Sequence, residues 1–342
     1  MSLKNLSAIN KIPKLFKNKL KNKRINQIYK NFEKSLNINE SFIVAVSGGA
    51  DSLALAYLAK IYSIKKKVSS KFFIVDHKLR PNSTLEAKTV KKVLSKNLIK
   101  AEILTWRGKK PEKNIQSLAR KKRFELLLNQ CDKLKINNIL FGHHQNDLIE
   151  NFFIRMLRGS GLKGLVSLDK KSKTDDKNLL RPLLNQKKED LIFISKHVFN
   201  FYVQDPSNDN DQFQRIKIRK LIDKFRGYGL DKMKLFKTIK NLQHSNSVVS
   251  YYVTKNLKEN TFLSKKKDKL FLNKQFFQQP YEVVFRALAE SIKLVGKKYY
   301  LSRGKKLDKM ISDIHYNRLS RATLGGCIIE KVSQSVIIVR EH

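Results

Sequence analysis

The stretch that decides the fold is Phe42-Ile-Val-Ala-Val46, followed without a break by Ser47-Gly-Gly-Ala-Asp-Ser52. A short, continuously apolar run rich in β-branched residues reads as a strand buried on both faces. The run stops at two glycines, and Leu53 to Ile61 (LALAYLAKI) then reads as a helix with Ser52 near its start. Strand, glycine turn and helix in immediate succession make an anion cradle. Glycine allows dihedrals that expose successive backbone N–H groups, and the helix N-terminus adds partial positive charge. Ser47 and Ser52 add hydroxyl donors. Asp51 would repel a phosphate unless a divalent cation or a ligand amine lies between them, so its presence points to Mg²⁺. The cradle is not a Walker A loop, because no such sequence occurs.

Outward from this stretch, the pattern repeats. Phe72–Val75, Ala101–Trp106 and Asn138–Phe141 read as further strands. Ser83–Leu98, with Glu86 in capping-box spacing from Ser83, and Asn114–Leu128, with a basic face, read as helices. Alternation of this kind predicts an α/β fold, a Rossmann-like parallel sheet with helices on both faces, over residues 37–214. Residues 1–36 read as a basic lead-in with a helix near Ile12–Leu36. The charged stretch Lys171–Asn178 (KSKTDDKN) predicts a mobile surface loop. From Arg215 helical patterns dominate (Arg215–Phe225, Met233–Leu257, Tyr281–Leu294, Lys305–Ile314), and Thr323–Ile329 with Ser335–Val339 predict a closing hairpin. Residues 215–342 are therefore expected to form a smaller, mainly helical C-terminal domain ending in a β-hairpin.

Composition narrows the partners. The 342 residues carry 72 Lys+Arg against 29 Asp+Glu, a formal net charge of +43. Such a field attracts polyanions, although a lysine excess in a chain also rich in Asn and Ile can reflect composition alone. Cys131 and Cys327 are the only cysteines, which excludes a disulfide framework, a Cys-rich zinc site and a CxxC redox pair, and suits a reducing, cytoplasmic setting. No stretch approaches the roughly 20 apolar residues of a membrane span, so no membrane partner is expected. The first 32 residues lack Asp and Glu but hold one arginine, Arg24, and few serines, unlike a transit peptide.

Ser47–Ser52 in this setting resembles the PP-loop of the ATP pyrophosphatase superfamily, whose members cleave ATP between the α- and β-phosphates. Further stretches, in order along the chain, resemble the tRNA(Ile)-lysidine synthetase family within it. They are Val75-Asp-His-Lys-Leu-Arg80; Gln116-Ser-Leu-Ala-Arg120 with Arg123; Gly142-His-His-Gln-Asn-Asp147 with Glu150 and Arg155–Gly161; and Arg181-Pro-Leu-Leu184. Asp205-Pro-Ser-Asn208, leading into Asp211 and Arg219, and Thr323-Leu-Gly-Gly-Cys327 with Arg340-Glu341 complete the series. Asn146 stands where the family commonly has Asp, Asn151 where it has Thr, and Ile216 where it has Asn.

The resemblance implies lysine transfer onto C2 of the first anticodon cytidine of tRNA(Ile) with a CAU anticodon, through an adenylated intermediate. It implies ATP held by Ser47, Gly48, Gly49, Ala50, Asp51 and Ser52 with Asp76, His77 and His143. Asp51 and Asp147 are the expected Mg²⁺ ligands, and Asp51, Asp147 and Glu150 the catalytic carboxylates. Arg120, Arg123, Arg158 and Arg219 are phosphate or tRNA candidates, and free L-lysine is the second substrate. The oligomeric state stays open, a homodimer included. The alternatives are a PP-loop tRNA thiolase, which would need cysteines to carry sulfur or bind a cluster, and a non-catalytic basic RNA-binding protein.

The residues themselves agree with part of this. A helix starting near His144 puts Ile149, Phe152, Phe153 and Met156 on one apolar stripe. Asp147, Asn151, Arg155 and Arg158 then lie on another face. Asp147 and Glu150 could hold Mg²⁺, accept a lysine ammonium or simply serve the helix dipole, and either is a candidate base. His143 and His144 lack metal-site spacing and are expected to pack or hydrogen-bond near the nucleotide. Arg120 and Arg123, three apart on a helix, suit phosphate, beside the solvated Lys121 and Lys122. Arg219, Lys220 and Lys224 form a basic cluster suited to an RNA backbone, so residues 215–342 are the expected tRNA-binding domain and residues 37–214 the expected ATP-binding catalytic domain.

Overall fold

The structure, a computed structural model, describes residues 12–79, 81–108, 115–174, 176–204, 214–266, 268–297 and 304–341. The chain divides at Ile239/Lys240 into two compact units. In the first, α1 (Lys14–Leu20) and α2 (Lys23–Leu36) replace the single expected N-terminal helix. Asn22 breaks the run because its side chain accepts from the amides of Arg24 and Ile25, at 3.0 and 3.2 Å, and so starts α2 as an N-cap.

The central element is β1 (Phe42–Val46). It is followed by α3 (Ala50–Lys66), β2 (Ser70–Asp76), α4 (Ser83–Lys96), β3 (Ala101–Thr105), α5 (Ile115–Leu134), β4 (Asn138–Leu140) and α6 (Gln145–Met156). After the short α7 (Leu162–Leu165) come β5 (Lys171–Thr174), β6 (Lys177–Leu180), α8 (Lys188–Phe199) and α9 (Gln214–Gly227). The six strands order as β3-β2-β1-β4-β6-β5, parallel except for β5. Side chains of β1 alternate between two cores, as a strand buried on both faces must. Phe42, Val44 and Val46 join residues of α2, α3, α4 and α8, while Ile43 joins Phe73, Leu127, Cys131 and Ile139 on the α5 side. The sheet is thus covered on both faces, as expected.

The first unit differs from the sequence reading in two further respects. The expected loop Lys171–Asn178 is a hairpin, with β6 running parallel to β4 in the register Asn138↔Asn178 to Leu140↔Leu180. Burial of Leu179 and Leu180 holds β6, and Asn178 donates across to Asn138 at 2.9 Å. The lysines of β5 belong to a charged edge strand, which discourages further pairing. Second, the division at Ile239/Lys240 leaves α9 in the first unit, whereas the expected boundary was 214/215. Ion pairs from α9 to α6, described below, account for this.

The second unit holds the C-terminal part of α10 (Lys232–Glu259), then β7 (Thr261–Leu263), β8 (Lys269–Leu272), α11 (Lys274–Phe277), α12 (Tyr281–Gly296) and α13 (Gly304–His315). It closes with β9 (Arg321–Leu324), β10 (Cys327–Val332) and β11 (Ser335–Arg340). An antiparallel sheet, β7-β8-β11-β10-β9, packs Leu270, Leu272, Ile329 and Ile338 against Leu288, Ile292, Leu307 and Met310 of the helices. The β10–β11 hairpin is the expected one. The Thr323–Ile329 run, however, is two strands turned at Gly325-Gly326, both at positive φ. No described helix is long and apolar enough to cross a membrane.

Candidate active site

In a sheet ordered β3-β2-β1-β4, successive connections leave to opposite sides between β1 and β4, and a crevice opens at their carboxyl ends. Both ends carry the expected motifs. Gly48 has φ +90°, and a Cβ there would lie 2.5 Å from Val90 Cγ2, so only glycine makes this turn. Ser52 Oγ clips the turn from inside. It accepts from the amides of Ser47 and Gly48, both at 3.1 Å, and donates to the Gly49 carbonyl at 3.0 Å. Ser52, expected as a hydroxyl donor to a ligand, is thus engaged with those two amides and the Gly49 carbonyl within the loop. Ala50 and Asp51, in the first turn of α3, have amides with no intrahelical acceptor, as does the cap residue Gly49. These amides are the ones left to receive an anion, with the helix dipole behind them.

Across the crevice, Gly142 lets the exit of β4 pass close to this first turn, since a Cβ there would lie 3.2 Å from the Asp51 carbonyl carbon. His144 follows as the N-cap of α6. Its Nδ1 accepts from the Asn146 amide at 3.2 Å, and its own amide donates to Asp147 Oδ2 at 3.0 Å. With Nδ1 accepting, Nε2 carries the proton. That Nε2 lies 3.4 Å from both Asp51 Oδ2 and Asp147 Oδ2. Burial opposes charging of His144, yet the Asp51 hydrogen bond and the two carboxylates raise its pKa. Asp147 is likewise opposed by burial, while His144, His143, the His144 amide and Arg215 hold its carboxyl below the usual range.

Asp147 and Glu150 do not stand free. Arg215 Nη1 on α9 is 3.0 Å from Asp147 Oδ1 and 3.8 Å from Glu150 Oε2, and Arg219 Nε donates to Glu150 Oε1 at 2.6 Å. Asp51 Oδ1 and Glu150 Oε2 are both buried with no hydrogen-bond partner, and of the two Asp51 Oδ1 belongs to the cradle. One unengaged carboxylate oxygen beside a phosphate cradle fits Mg²⁺, which takes one or two carboxylates and completes its shell with substrate phosphates and water. Among the described residues, no group of three or more His, Cys, Asp or Glu is arranged to hold a metal without a substrate.

The other expected residues fall around this centre. His77 and His143 are driven to neutral, with pKa values pushed down to about 4, first by burial and for His77 next by Arg123. Both ring nitrogens of His77 and Nδ1 of His143 are buried without partners, open to a ligand's donors or acceptors. Arg120 is close enough to Asp147, and Arg123 to His77, for their charges to be felt there. Asp76 is placed otherwise. Its oxygens accept from Ser83 Oγ and Thr84 Oγ1 at 3.0 and 2.7 Å and from the Lys78 amide at 3.0 Å, so it ties β2 to the start of α4. Arg158, past the end of α6, donates to Gln214 at 2.8 Å and is exposed. Arg80, Asp205, Asn208 and Asp211 lie outside the described residues. Sequence reasoning expected His144 to pack or hydrogen-bond near the nucleotide and did not foresee its place as the N-cap of α6, although Asp147 three residues on is a capping-box signal. It missed Arg215, which pairs across the fold.

A glycine turn at the switch point of a parallel sheet, with an acid in the first turn of the following helix, defines a PP-loop nucleotide-binding protein. Accordingly, the PP-loop domain family matches residues 18–225. The tRNA(Ile)-lysidine synthase of Orientia tsutsugamushi is 33% identical over 319 residues, covering 89% of this chain and 70% of that protein. Its counterpart in the Wolbachia of Brugia malayi is 30% identical over 322 residues, covering 89% and 71%. Among solved structures, the U34-tRNA thiolase NcsA from Methanococcus maripaludis has a TM-score of 0.54 at 16% identity, covering 65% of this chain and 79% of that one. That likeness concerns the fold. The chain belongs to the tRNA(Ile)-lysidine synthase family of PP-loop proteins.

Proposed function

We propose that this chain is a ligase that joins free L-lysine to C2 of the first anticodon cytidine of a tRNA(Ile) with a CAU anticodon, converting ATP to AMP and pyrophosphate. The observation that carries this reading is the pairing of the cradle amides with the buried, unengaged Asp51 Oδ1 at the switch point. It is supported by kinship with enzymes named for this product.

The chemistry assigns each group a task. The C2 oxygen is a poor leaving group, and its attack on the α-phosphorus of ATP, with pyrophosphate departing, turns it into a good one. The amides of Gly49, Ala50 and Asp51 face the departing pyrophosphate, where fixed dipoles stabilise developing charge. Asp51 would hold Mg²⁺, which supplies neutralisation of phosphate charge when bound. His144 fixes Asp51 against Asp147 through one Nε2 proton. Asp147 and Glu150 offer carboxylates to a cation, a position now taken by Arg215 and Arg219 and suited to the lysine ammonium. The lysine amine must lose a proton before its nitrogen attacks C2 and AMP leaves, and the same carboxylates are placed to take it. Arg120 and Arg123 supply positive charge beside the neutral His77 and His143. Thiolation finds no support in the cysteines. Cys131 and Cys327 are both buried, and burial pushes the Cys131 thiol up to about 11.

The test is incubation with ATP, Mg²⁺, labelled lysine and total tRNA, then nucleoside analysis. Lysidine carrying the label is expected. Label absent from every nucleoside, or a sulfur-containing product in place of lysidine, would overturn the reading.

A further inference from the structure

The sheet of the second unit buries one face and leaves the other open. On β8, Leu270 and Leu272 are 2% and 0% exposed, so Lys269 and Phe271 point the opposite way. The register carries that outer face across the sheet. Phe262 lies opposite Phe271, Phe271 opposite Ile337, Ile337 opposite Glu330, and Glu330 opposite Arg321. Phe262 is 68% exposed and Phe271 37%, with ring centroids 6.2 Å apart. Two adjacent aromatic side chains in water on an open sheet are a loss unless something covers them.

Their surroundings select the partner. The connection from β7 to β8 presents the exposed Lys265 and Lys266, and Lys269 opens β8 on the aromatic face. Of the nearby acids, Glu330 pairs with Arg321 at 3.1 Å, and Asp268, which accepts from Ser264 Oγ at 2.8 Å, stands against three lysines. A protein-binding patch is depleted of lysine at its centre. An aromatic pair rimmed by lysines instead complements a polyanion that carries flat rings. Bases stack on the rings while ammonium groups meet phosphates.

We infer that the outer face of this sheet, through Phe262 and Phe271 with Lys265, Lys266 and Lys269, binds unpaired nucleotides of RNA by base stacking. The inference rests on the reading of the chain as a tRNA-modifying enzyme and names a surface on which that RNA is gripped. Double-helical RNA keeps its bases stacked on one another, so only the phosphate contacts remain available to it.

The experiment measures affinity of the full chain for an RNA hairpin with an unpaired loop and for a fully paired duplex, across salt concentrations. Phe262→Ala and Phe271→Ala should each weaken loop binding by roughly 5- to 100-fold and leave duplex binding unchanged. Phe271→Tyr should retain loop binding. Lys265→Ala/Lys266→Ala/Lys269→Ala should weaken both RNAs and lower the salt slope by about 2. Phe262 is exposed enough that its removal leaves the fold intact, which circular dichroism checks. Loop affinity unchanged in Phe262→Ala overturns the inference. So does a variant that loses self-association or a protein partner while keeping loop affinity. Lysine incorporation by the unaltered chain is assayed in parallel. Its absence, with loop binding still dependent on Phe262, would sink the proposed function alone.

Discussion

His144 Nε2 lies 3.4 Å from Asp51 Oδ2 and the same distance from Asp147 Oδ2, so one imidazole joins the first turn of α3 to the helix after β4. The two halves of the crevice therefore share a proton-bearing group, and the acid of the cradle is oriented by a residue from the opposite wall. One consequence is that Asp51 Oδ2 is held while Oδ1 remains open to a ligand.

Asp51→Asn keeps the size of the side chain and removes its charge. Lysine incorporation should fall by at least roughly 100-fold, the scale seen when a group that stabilises transition-state charge is removed. tRNA affinity, measured by filter binding, should stay within about twofold.

Replacing Gly48 tests the turn. Gly48→Ala forces a Cβ to within 2.5 Å of Val90 Cγ2 at φ +90°, so unfolding in urea should show a loss of about 1–3 kcal/mol. Gly49→Ala meets nothing nearer than Ser47 Oγ at 3.9 Å and should leave stability near that of the unaltered chain.

Arg219→Ala strands Glu150, whose side chain is 5% exposed, without its 2.6 Å partner. Because Arg219 itself is partly exposed, the expected cost is about 2 kcal/mol, below the roughly 3–5 kcal/mol of a fully buried broken pair. Glu150→Gln combined with Arg219→Ala should recover part of that loss. A double-mutant cycle in urea reads it.

His77 and His143 fold in their neutral forms, with pKa values of about 4 against an ordinary 6.5. Between those values the unfolded chain binds more protons than the folded one, so stability rises with pH across that window and is lost as pH falls through it. The melting temperature should therefore drop from pH 7 to pH 4.5. His143→Gln should flatten that slope.

How much of this was legible in the sequence follows from where the information lies. The strand, turn and helix of 42–61 are local: β-branched residues, glycines and an apolar helix each state their preference within a few positions. The stripe Ile149, Phe152 and Phe153 was legible for the same reason, though Met156 proved 45% exposed at the helix end. Lys171–Asn178 was not, because β6 is a strand only by virtue of β4 beside it, and its lysines belong to an edge. The pairs Arg215–Asp147 and Arg219–Glu150 join residues almost 70 positions apart. No local pattern announces such a meeting. The loop bonds of Ser52 were not legible for a subtler reason, since a hydroxyl suited to a ligand is equally suited to the amides of its own loop.

The most direct test of the account is the stoichiometry of nucleotide products during lysine transfer to tRNA. One AMP and one pyrophosphate per lysine incorporated, both lost in Asp51→Asn, is the predicted result. Release of ADP and inorganic phosphate, or AMP formation that continues unchanged in Asp51→Asn, would contradict a cradle that grips departing pyrophosphate beside an acid for the cation.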